Sequence, residues 1–290
     1  MSAISTGKSL VLNKVVTNRN VIMRRIGDVL LGIVLVLMLA PFAFAVLTAI
    51  RPAADVANDP LGLPTRITAE NVATAFAQMN YAQSLWNTVL ILFGTSVLTI
   101  TLGSMASYPL SRIGKRWTRL TYQLFIIGTS VPIWVLIAPL YLFMRDLGLL
   151  GSFAGVILIY TAGLLPVAIF FYTSFIRQVP TELEEAASID GAGSLRIFFL
   201  IVFPLLGPMT VTLITYIALS VWNDLIVPII FLQGIQNGTI MSNAYALLNP
   251  LVVQPTTLFP AILLGVIPLI VLFAVLQRYV IAGLTSGAIK

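Results

Sequence analysis

The sequence predicts an all-α integral membrane protein with six transmembrane helices, and its composition and its apolar pattern lead to this fold class together. Hydrophobic residues make up 59% of the 290 positions and charged residues only 9%, whereas a soluble domain usually carries about 25% charged residues. The apolar residues fall in long blocks, which is typical of segments that face lipid. The alternating pattern of a membrane β-barrel is absent, so helices are expected.

Six apolar blocks have about the 20 residues that a helix needs to cross roughly 30 Å of hydrocarbon. Inside lipid each segment must satisfy its own backbone hydrogen bonds, so the blocks are assigned as helices. The predicted spans lie near 26–50, 88–110, 120–144, 152–175, 197–222 and 259–281. The chain then divides into an N-terminal tail, 1–25, and a transmembrane domain, 26–290.

The distribution of Lys and Arg predicts the orientation of the spans. Thirteen of the 16 basic residues fall in the tail, the 111–119 loop, the 176–196 loop and the C-terminus, and three fall on the other side. Cytoplasmic segments carry the excess of positive charge in membrane proteins. Both termini, and the 1–25 tail with them, are therefore expected in the cytoplasm.

Two long loops lie on the predicted outer side, at 51–86 and 223–258. Each is long enough to form small helices and to meet a partner. Trp86 and Trp222 stand where these loops join predicted spans, and tryptophan is enriched at membrane–water interfaces. Both indole rings are expected to be interface anchors.

The absence of cysteine and histidine excludes several classes of function. Without them the chain has no disulfide, no thiol nucleophile, no histidine metal ligand and no histidine general base. A serine intramembrane protease built on Gly94-Thr95-Ser96 or Gly128-Thr129-Ser130 would lack its base, and an aspartyl protease would lack two intramembrane carboxylates. The sequence therefore predicts no catalytic residue and no metal site. The net charge of +6 is spread beside the apolar blocks and indicates topology, not nucleic-acid binding.

Gly7-Lys8-Ser9 has the ending of a phosphate-binding loop but not the rest of that motif. The glycine required five positions before Gly7 is replaced by Ser2, and no strand is predicted ahead of it. The chain is therefore not expected to bind or hydrolyse ATP itself.

The loop that follows Pro180 has the pattern of a short helix on the cytoplasmic side. Thr181 followed three residues later by Glu184 predicts a capping box at its start. Glu182, Glu184 and Glu185 lie in the first turns, where carboxylates favour the positive end of the helix dipole. Glutamates on such a helix can pair with basic groups of a partner.

The same pattern predicts one narrow face and a defined end for this helix. Gly191 can take the left-handed conformation that ends a helix, and Ser194 can cap the next helix, which runs into the fifth span. The narrow face consists of residues at i, i+3, i+4 and i+7, namely Leu183, Ala186, Ala187 and Asp190. Alanines at an exposed position let another protein's backbone approach closely. An ordinary surface turn between two spans is the alternative interpretation.

This loop resembles the EAA signature of bacterial ABC importer permeases. The resemblance rests on Glu185-Ala186-Ala187, Asp190-Gly191-Ala192, Ile201 and Pro204-Leu205 at the family's spacing. In that family the loop is the coupling helix, which docks in a cleft of the ATPase subunit. The resemblance implies a coupling helix at 181–193. The implied ATPase-coupling residues are Glu184, Glu185, Ala186, Ala187, Asp190 and Gly191.

Further stretches resemble the maltose-permease-like (MalG-type) carbohydrate branch of this family. They are Asn87-Thr88, Ala106 to Arg112, Pro139-Leu140-Tyr141, Gly148-Leu149, Trp222-Asn223-Asp224, Gln277-Arg278 and Gly283 to Ala288. Pro109 departs from the family, which more often has alanine there, and is expected to bend the end of the second span.

This resemblance implies a type I ABC importer transmembrane domain (MetI-like) in a bacterial inner membrane. It implies a second homologous permease, an ABC ATPase dimer and an extracytoplasmic sugar-binding protein as partners. ATP and Mg are expected on the ATPase, and no cofactor on this chain. The function implied is carbohydrate import coupled to ATP through the EAA loop.

Two further groups of residues are candidates for the transport step. Pro204, Gly207 and Pro208 weaken the helical ladder of the fifth span, which predicts either a flexing point or a static kink. Family analogy places the solute among spans three to five, where polar and aromatic side chains would contact it. The candidates are Trp134, Tyr160, Tyr172, Tyr216 and Asn223, although Tyr and Trp in spans are more often interface or packing residues.

An ion-coupled secondary transporter is the alternative function. Proton coupling usually relies on acidic or histidine residues inside the membrane, and Asp28 is the one clear acidic residue within a predicted span. Sodium coupling through backbone carbonyls of broken helices remains open. Six spans without internal symmetry suggest half of a pore, which favours the importer.

Overall fold

The computed structural model describes the backbone of residues 3–234, 236–248 and 254–288, and the side chains of 24–234, 236–248, 254–275 and 277. Its α-helices, in chain order, are α1 (Ala3–Ile50), α2 (Ala53–Asn58), α3 (Glu70–Gln78), α4 (Tyr81–Arg112), α5 (Arg116–Gly128), α6 (Ile137–Asp146), α7 (Phe153–Ile176), α8 (Glu182–Ile189), α9 (Ser194–Ile197), α10 (Phe203–Leu205), α11 (Gly207–Asn223), α12 (Ile226–Phe231), α13 (Ile240–Ala246) and α14 (Pro255–Ala288). A 3₁₀ turn covers Ile133–Leu136, and a π-helical turn covers Phe198–Val202. The chain forms two compact units, residues 1–72 and 73–290.

The described helices agree with the predicted fold class. Four of them are long and apolar enough to cross a membrane, and the number becomes six when each of two bent pairs is counted as one span. The six-span, all-α prediction is confirmed on this count. The C-terminal motif Gly283 to Ala288 lies in α14, but its side chains lie outside the described residues.

The first unit consists of α1 and the segment that follows it. Large apolar side chains along α1 from Ile26 to Phe42 are exposed, as a lipid-facing helix requires. The Arg51 guanidinium is buried and donates to the carbonyls of Asp55, Asp59 and Pro60 at 3.1, 2.7 and 3.2 Å. These hydrogen bonds satisfy the two Nη atoms of the buried guanidinium, whereas its Nε has no partner among the described residues. They fold the 51–60 segment around the charge.

The second unit is centred on the packing of α4 against α7. Buried residues recur every four positions along α4, so small and polar side chains form one ridge that faces α7. A Cβ at Gly103 would lie 2.8 Å from the Ala168 Cβ, and the Ser107 hydroxyl donates to the Ile169 carbonyl at 3.2 Å. Small residues let these two helices approach closely, as in other membrane bundles.

The third predicted span is broken. α5 ends at Gly128, and the helical segment Ile133–Asp146 continues at an angle of 88° to it. Pro132 has no N–H group to donate to the hydrogen bonds of a helix, and its backbone is extended, with φ −66° and ψ 130°. A single helix over 120–144 is therefore wrong, although the apolar block itself is helical on both sides of the break.

The fifth predicted span is also bent. α9, the π-helical turn and α10 form one arm, which meets α11 at 72°. The change of direction occurs at Leu206, a fully buried residue between Pro204 and Pro208. The helix break predicted from Pro204, Gly207 and Pro208 is confirmed in position. By contrast, α4 runs through Pro109 to Arg112 as one helix.

α14 packs against α11 through a buried tryptophan. The Trp222 side chain is 4% exposed, and its indole N–H donates to the Gly265 carbonyl at 3.0 Å. The prediction of Trp222 as an interface anchor is therefore wrong, because α14 covers the ring and supplies its acceptor. Trp86 is exposed, as an anchor requires.

Buried amides fix the outer loop of the second unit to α4. The Asn87 side chain donates to the carbonyls of Gln236 and Gly238 at 2.9 and 3.0 Å. The Thr88 hydroxyl accepts from the Ile240 N–H at 3.0 Å, and Asn243 donates to the Met79 carbonyl at 3.0 Å. α12 and α13 confirm the small helices predicted for this loop, and the Asn-Thr pair explains how it is held.

Candidate functional site

The candidate coupling helix is α8, and its start differs from the prediction. Thr181 has helical backbone angles, φ −71° and ψ −22°, and its side chain makes no capping hydrogen bond. Its carbonyl accepts instead from the N–H groups of Glu184 and Glu185 at 2.9 and 3.0 Å. The predicted capping box is wrong because the Glu184 carboxylate is bound elsewhere.

Glu184 is held by two residues at the end of α4. The Arg112 Nε and Nη2 atoms lie 2.8 and 2.6 Å from Glu184 Oε1, and the Tyr108 hydroxyl donates to Oε2 at 2.8 Å. Arg112 Nη2 also donates to the Val179 carbonyl at 2.9 Å. The side chains of Arg112 and Glu184 are 17% and 12% exposed. We call Tyr108, Arg112 and Glu184 the clamp.

The clamp changes the role expected of Glu184. Both of its oxygens accept charge-assisted or hydroxyl hydrogen bonds within the chain, in a site with little water. A pair this protected is disrupted at a higher free-energy cost than an exposed surface pair. Glu184 therefore joins α8 to α4, and it does not lie on the surface that was expected to meet a partner.

The helix presents two different faces. Ala187, and Ala192 just beyond the helix, pack against the core of the second unit together with the Glu184 side of the helix. The narrow face predicted from the sequence is therefore divided, because Ala187 faces inward while Leu183, Ala186 and Asp190 are exposed. The outward face has the spacing i, i+3, i+4 and i+7 and consists of Glu182, Glu185, Ala186 and Ile189.

Ile189 is a residue that the sequence analysis missed. It is 87% exposed and lies at the end of the outward face, with Glu185 and Ala186 one turn before it. The available signal was a large aliphatic residue among polar residues in a short loop between two apolar blocks. Ile189 and Leu183 are the exposed large apolar residues of α8.

The end of α8 is the Schellman turn that the sequence indicates. Gly191 has φ +81°. The Ala192 N–H donates to the Ala187 carbonyl and the Gly191 N–H donates to the Ser188 carbonyl, both at 3.0 Å. Gly191 as a left-handed stop is confirmed. The cap predicted at Ser194 is wrong, because Gly193 takes the N-cap position of α9 and Ser194 is its first residue.

α8 is connected directly to the fifth span. The short turn after Gly191 leads into α9, and Phe198 at the start of the π-helical turn is buried. The Tyr108 ring lies 5.5 Å from the Phe198 ring between centroids. Tyr108 therefore contacts both α8, through Glu184, and the first turns of the fifth span.

The bend of the fifth span is held against α7. The Thr210 hydroxyl donates to the Leu206 carbonyl at 3.0 Å and lies 3.0 Å from the Tyr172 hydroxyl. Tyr172 is fully buried. One of the candidate substrate residues thus supports the bend.

The five candidate substrate residues differ in burial and in their partners. Among the described residues, no hydrogen bond or ring contact joins any two of them. Tyr160 is buried and donates to the Asp224 carboxylate at 2.9 Å. Trp134, Tyr216 and Asn223 are exposed, and the Asn223 amide donates to the Leu219 carbonyl at 2.8 Å.

A cleft of about 410 Å³ lies beside the clamp. It separates the last turns of α4 from the first turns of the fifth span. Its lining residues are Met105, Tyr108, Pro109, Arg112, Ile113, Ser194, Leu195 and Phe198. Within the described part of the chain, no group of three or more acidic residues could hold a metal ion.

The sequence matches a known family and its curated members. Residues 99–286 match the family model described as the binding-protein-dependent transport system inner membrane component. The melibiose/raffinose/stachyose import permease protein MelC of Bacillus subtilis is 35% identical over 267 residues, which cover 92% of this chain and 96% of that protein. The diacetylchitobiose uptake system permease protein NgcG of Streptomyces coelicolor is 29% identical, covering 88% and 85%.

The fold also matches solved structures. A chain of a bacterial ABC transporter involved in the import of the acidic polysaccharide alginate superposes with a TM-score of 0.76 at 23% identity, covering 89% of this chain and 96% of that one. A chain of the MetNI methionine ABC transporter gives a TM-score of 0.54 at 18% identity, covering 70% and 95%. At these identities the likeness concerns the fold.

Proposed function

The chain belongs to the family of binding-protein-dependent transport system inner membrane components, and from this premise we propose that it is the transmembrane permease subunit of an ATP-driven carbohydrate importer. The observation that carries the proposal is α8, a short exposed helix clamped to the second span and continuous with the fifth. Relatives across this family are named for the import of sugars. The family match favours this function over an ion-coupled secondary transporter.

The transported solute is a carbohydrate, namely a disaccharide or a short oligosaccharide. Support comes from relatives named for melibiose, raffinose and stachyose, for diacetylchitobiose and for trehalose. Trp134, Tyr216 and Asn223 remain the candidates for sugar contacts, because their side chains are exposed and not buried in the subunit. Aromatic faces and amides are the groups that a sugar would contact.

The subunit works with an ABC ATPase and an extracytoplasmic sugar-binding protein. A second homologous permease completes the pathway, two ATPase subunits bind ATP and Mg, and this chain performs no catalysis. The excess of Lys and Arg supports a cytoplasmic position for both termini and for α8. α8 is then on the side where ATP is available.

The outward face of α8 docks on the ATPase. Ile189 supplies apolar contact, and so does Leu183, which is exposed beside this face. The exposed carboxylates of Glu182 and Glu185 pair with basic groups of that partner. Ala186 lets the partner approach between them. Asp190 and Gly191 end the helix and set the direction in which the chain continues to α9.

Closing of the ATPases moves α8, and the movement reaches the bundle by two routes. One route is the Gly191 turn, which leads through α9 to the bend at Leu206. The other is the clamp, which connects Glu184 to Arg112 at the end of α4. The two spans then change direction together and expose the pathway to the opposite side.

Reconstitution of the complete transporter tests this function. Proteoliposomes that contain this subunit, its partner permease, the ATPase and the binding protein should accumulate labelled oligosaccharide only with ATP and binding protein. Glu185→Arg should insert normally and abolish uptake. Uptake by this subunit alone, driven by an ion gradient, would contradict the proposal. Normal substrate-stimulated ATPase activity in Glu185→Arg would exclude the docking role.

A further inference from the structure

We propose that the cleft beside the clamp binds an anionic phospholipid of the cytoplasmic leaflet, with the phosphate at the basic rim and the first acyl carbons inside. The proposal rests on the cytoplasmic orientation proposed above. Three features carry it: the apolar lining of the cleft, its depth relative to the membrane, and the charge around its mouth.

The lining is apolar and accessible. Leu195 is 68% exposed, and Met105 and Ile113 are also exposed, although all three contribute to one cavity. About 410 Å³ is within the range of small-ligand sites in proteins. Apolar side chains that remain accessible in such a cavity favour an occupant with an apolar part.

The cleft lies at the level of the lipid headgroups. Met105, Tyr108 and Pro109 belong to the last turns of a predicted span, and Arg112 ends the helix. Trp117 follows in the next loop and is exposed, as interfacial aromatic residues are. Half of the lining residues belong to the predicted spans 88–110 and 197–222, and the other half, Arg112, Ile113, Ser194 and Leu195, lie just beyond the ends of these spans, which is the depth of a lipid headgroup.

The segment that follows α4 at the mouth of the cleft is basic, whereas the exposed acidic residues near the cleft, Glu182, Glu185 and Asp190, lie on α8. Lys115, Arg116 and Arg119 are exposed on the segment that leaves the cleft, and Arg196 is exposed beyond Ser194. Residues 113–122 contain no acidic residue. Basic pockets between transmembrane helices on the cytoplasmic side are suited to anionic headgroups.

The clamp prepares one donor for the phosphate. Arg112 uses Nε and Nη2 for Glu184 and Val179, and its Nη1 has no partner among the described residues. The Ser194 hydroxyl also lacks a partner in that part of the chain. A guanidinium held on one side is pre-organised to donate on the other.

Photolabelling in the complete transporter tests the site. The complex is reconstituted with phosphatidylglycerol that carries a diazirine near the glycerol end of one acyl chain, and in parallel with the matching phosphatidylcholine probe. Adducts are mapped by mass spectrometry. We expect them in 105–113 and 194–198, with phosphatidylglycerol exceeding phosphatidylcholine at least about five-fold, the ratio that one basic residue gives near an anionic surface.

Two variants and one control define the result. Lys115→Gln/Arg116→Gln/Arg119→Gln should reduce labelling by phosphatidylglycerol markedly towards the phosphatidylcholine level, with the remaining selectivity due to Arg112 and Arg196. Ser194→Trp, which fills the cleft, should abolish labelling by both lipids. Arg145→Gln removes an exposed charge on the opposite side, where Arg145 pairs with Asp146 at 2.9 Å, and should change nothing.

Three outcomes would overturn the proposal. Equal labelling by both lipids would show an unselective annular lipid, and so would labelling that Ser194→Trp leaves intact. Efficient cross-linking of Leu195→Cys to a partner chain in place of lipid would show a protein occupant. ATP-driven uptake is measured on the same samples, so uptake without lipid labelling refutes this site alone, and labelling without uptake refutes the proposed function alone.

Discussion

Arg112 and Glu184 are 72 positions apart in the sequence, and their side chains form a nearly buried ion pair with Nη2 and Oε1 2.6 Å apart. One residue ends a transmembrane helix, and the other lies on a short helix of eight residues between two spans. An isolated helix of that length is unstable in water. The pair therefore fixes where α8 lies and connects it to α4.

The clamp should behave as one unit. Arg112→Ala and Glu184→Ala should each lower the amount of solute transported per ATP, and each should destabilise the subunit by about 3 kcal/mol, because one partner is left charged and half-buried. The loss of stability in the double variant should be smaller than the sum of the losses in the two single variants, with a coupling energy of about 1–3 kcal/mol. Thermal unfolding and coupled transport measure this.

Glu182→Ala is the matched control for the clamp, because Glu182 is exposed on the same helix. It should leave the unfolding temperature unchanged. The two residues would act independently if the effects of Arg112→Ala and Glu184→Ala were strictly additive, both on stability and on the amount of solute transported per ATP.

Ile189 should be important for binding and unimportant for folding. Ile189→Asp should weaken association of the ATPase by at least about ten-fold, because it replaces an apolar contact with a carboxylate that binding would bury without a partner. Surface substitutions away from special features change stability little, so the subunit should insert and fold normally. Titration of the ATPase onto the reconstituted permease pair measures the affinity.

Leu61→Asp provides the control for Ile189, because Leu61 is 82% exposed in the predicted outer loop. It should leave ATPase affinity unchanged. An affinity loss of the same size in both variants would remove Ile189 from the docking face.

Gly191 and Gly193 form a natural pair of test positions. A Cβ at either glycine would meet no atom within 4 Å, but Gly191 has φ +81° and Gly193 has φ −73°. Gly191→Val should therefore destabilise the turn by more than about 1 kcal/mol, the conformational penalty of a side chain in the left-handed region, and should abolish transport with insertion intact. Gly193→Ala should transport normally. Loss of transport in both variants would indicate close approach of a partner and not backbone conformation.

Thr210 and Thr212 separate a cross-helix contact from a local one. Both hydroxyls donate to the carbonyl four residues earlier, at 3.0 and 3.1 Å, and Thr210 alone also contacts the Tyr172 hydroxyl. Thr210→Val should lower the free energy of unfolding by about 1 kcal/mol more than Thr212→Val. If the bend flexes during transport, Thr210→Val should also change the transport rate. Equal effects of the two variants on both quantities would show that Tyr172 does not hold the bend.

Sequence reasoning succeeded where the signal was local. Span positions follow from apolar blocks, because lipid imposes helix length directly. Gly191 and the Pro204–Pro208 segment were placed correctly because backbone conformation at glycine and proline depends on few neighbours. The Asn87-Thr88 pair stood out as a family motif, and the structure gives it a physical role in holding the outer loop.

The errors arise where a distant residue decides. The capping box at Thr181 fails because Arg112 and Tyr108 bind the Glu184 carboxylate. Trp222 fails as an anchor because α14 covers it. The outward orientation of Ile189 follows from which side of α8 packs on the core, and periodicity over eight residues does not specify that side.

Accessibility of position 189 tests the central claim most directly. The chain contains no cysteine, so Ile189→Cys provides a single reactive thiol in this subunit. A membrane-impermeant maleimide should modify it from the cytoplasmic side in inverted vesicles stripped of ATPase, and added ATPase should protect it. Modification from the external side, or modification that saturating ATPase leaves unchanged, would contradict the account.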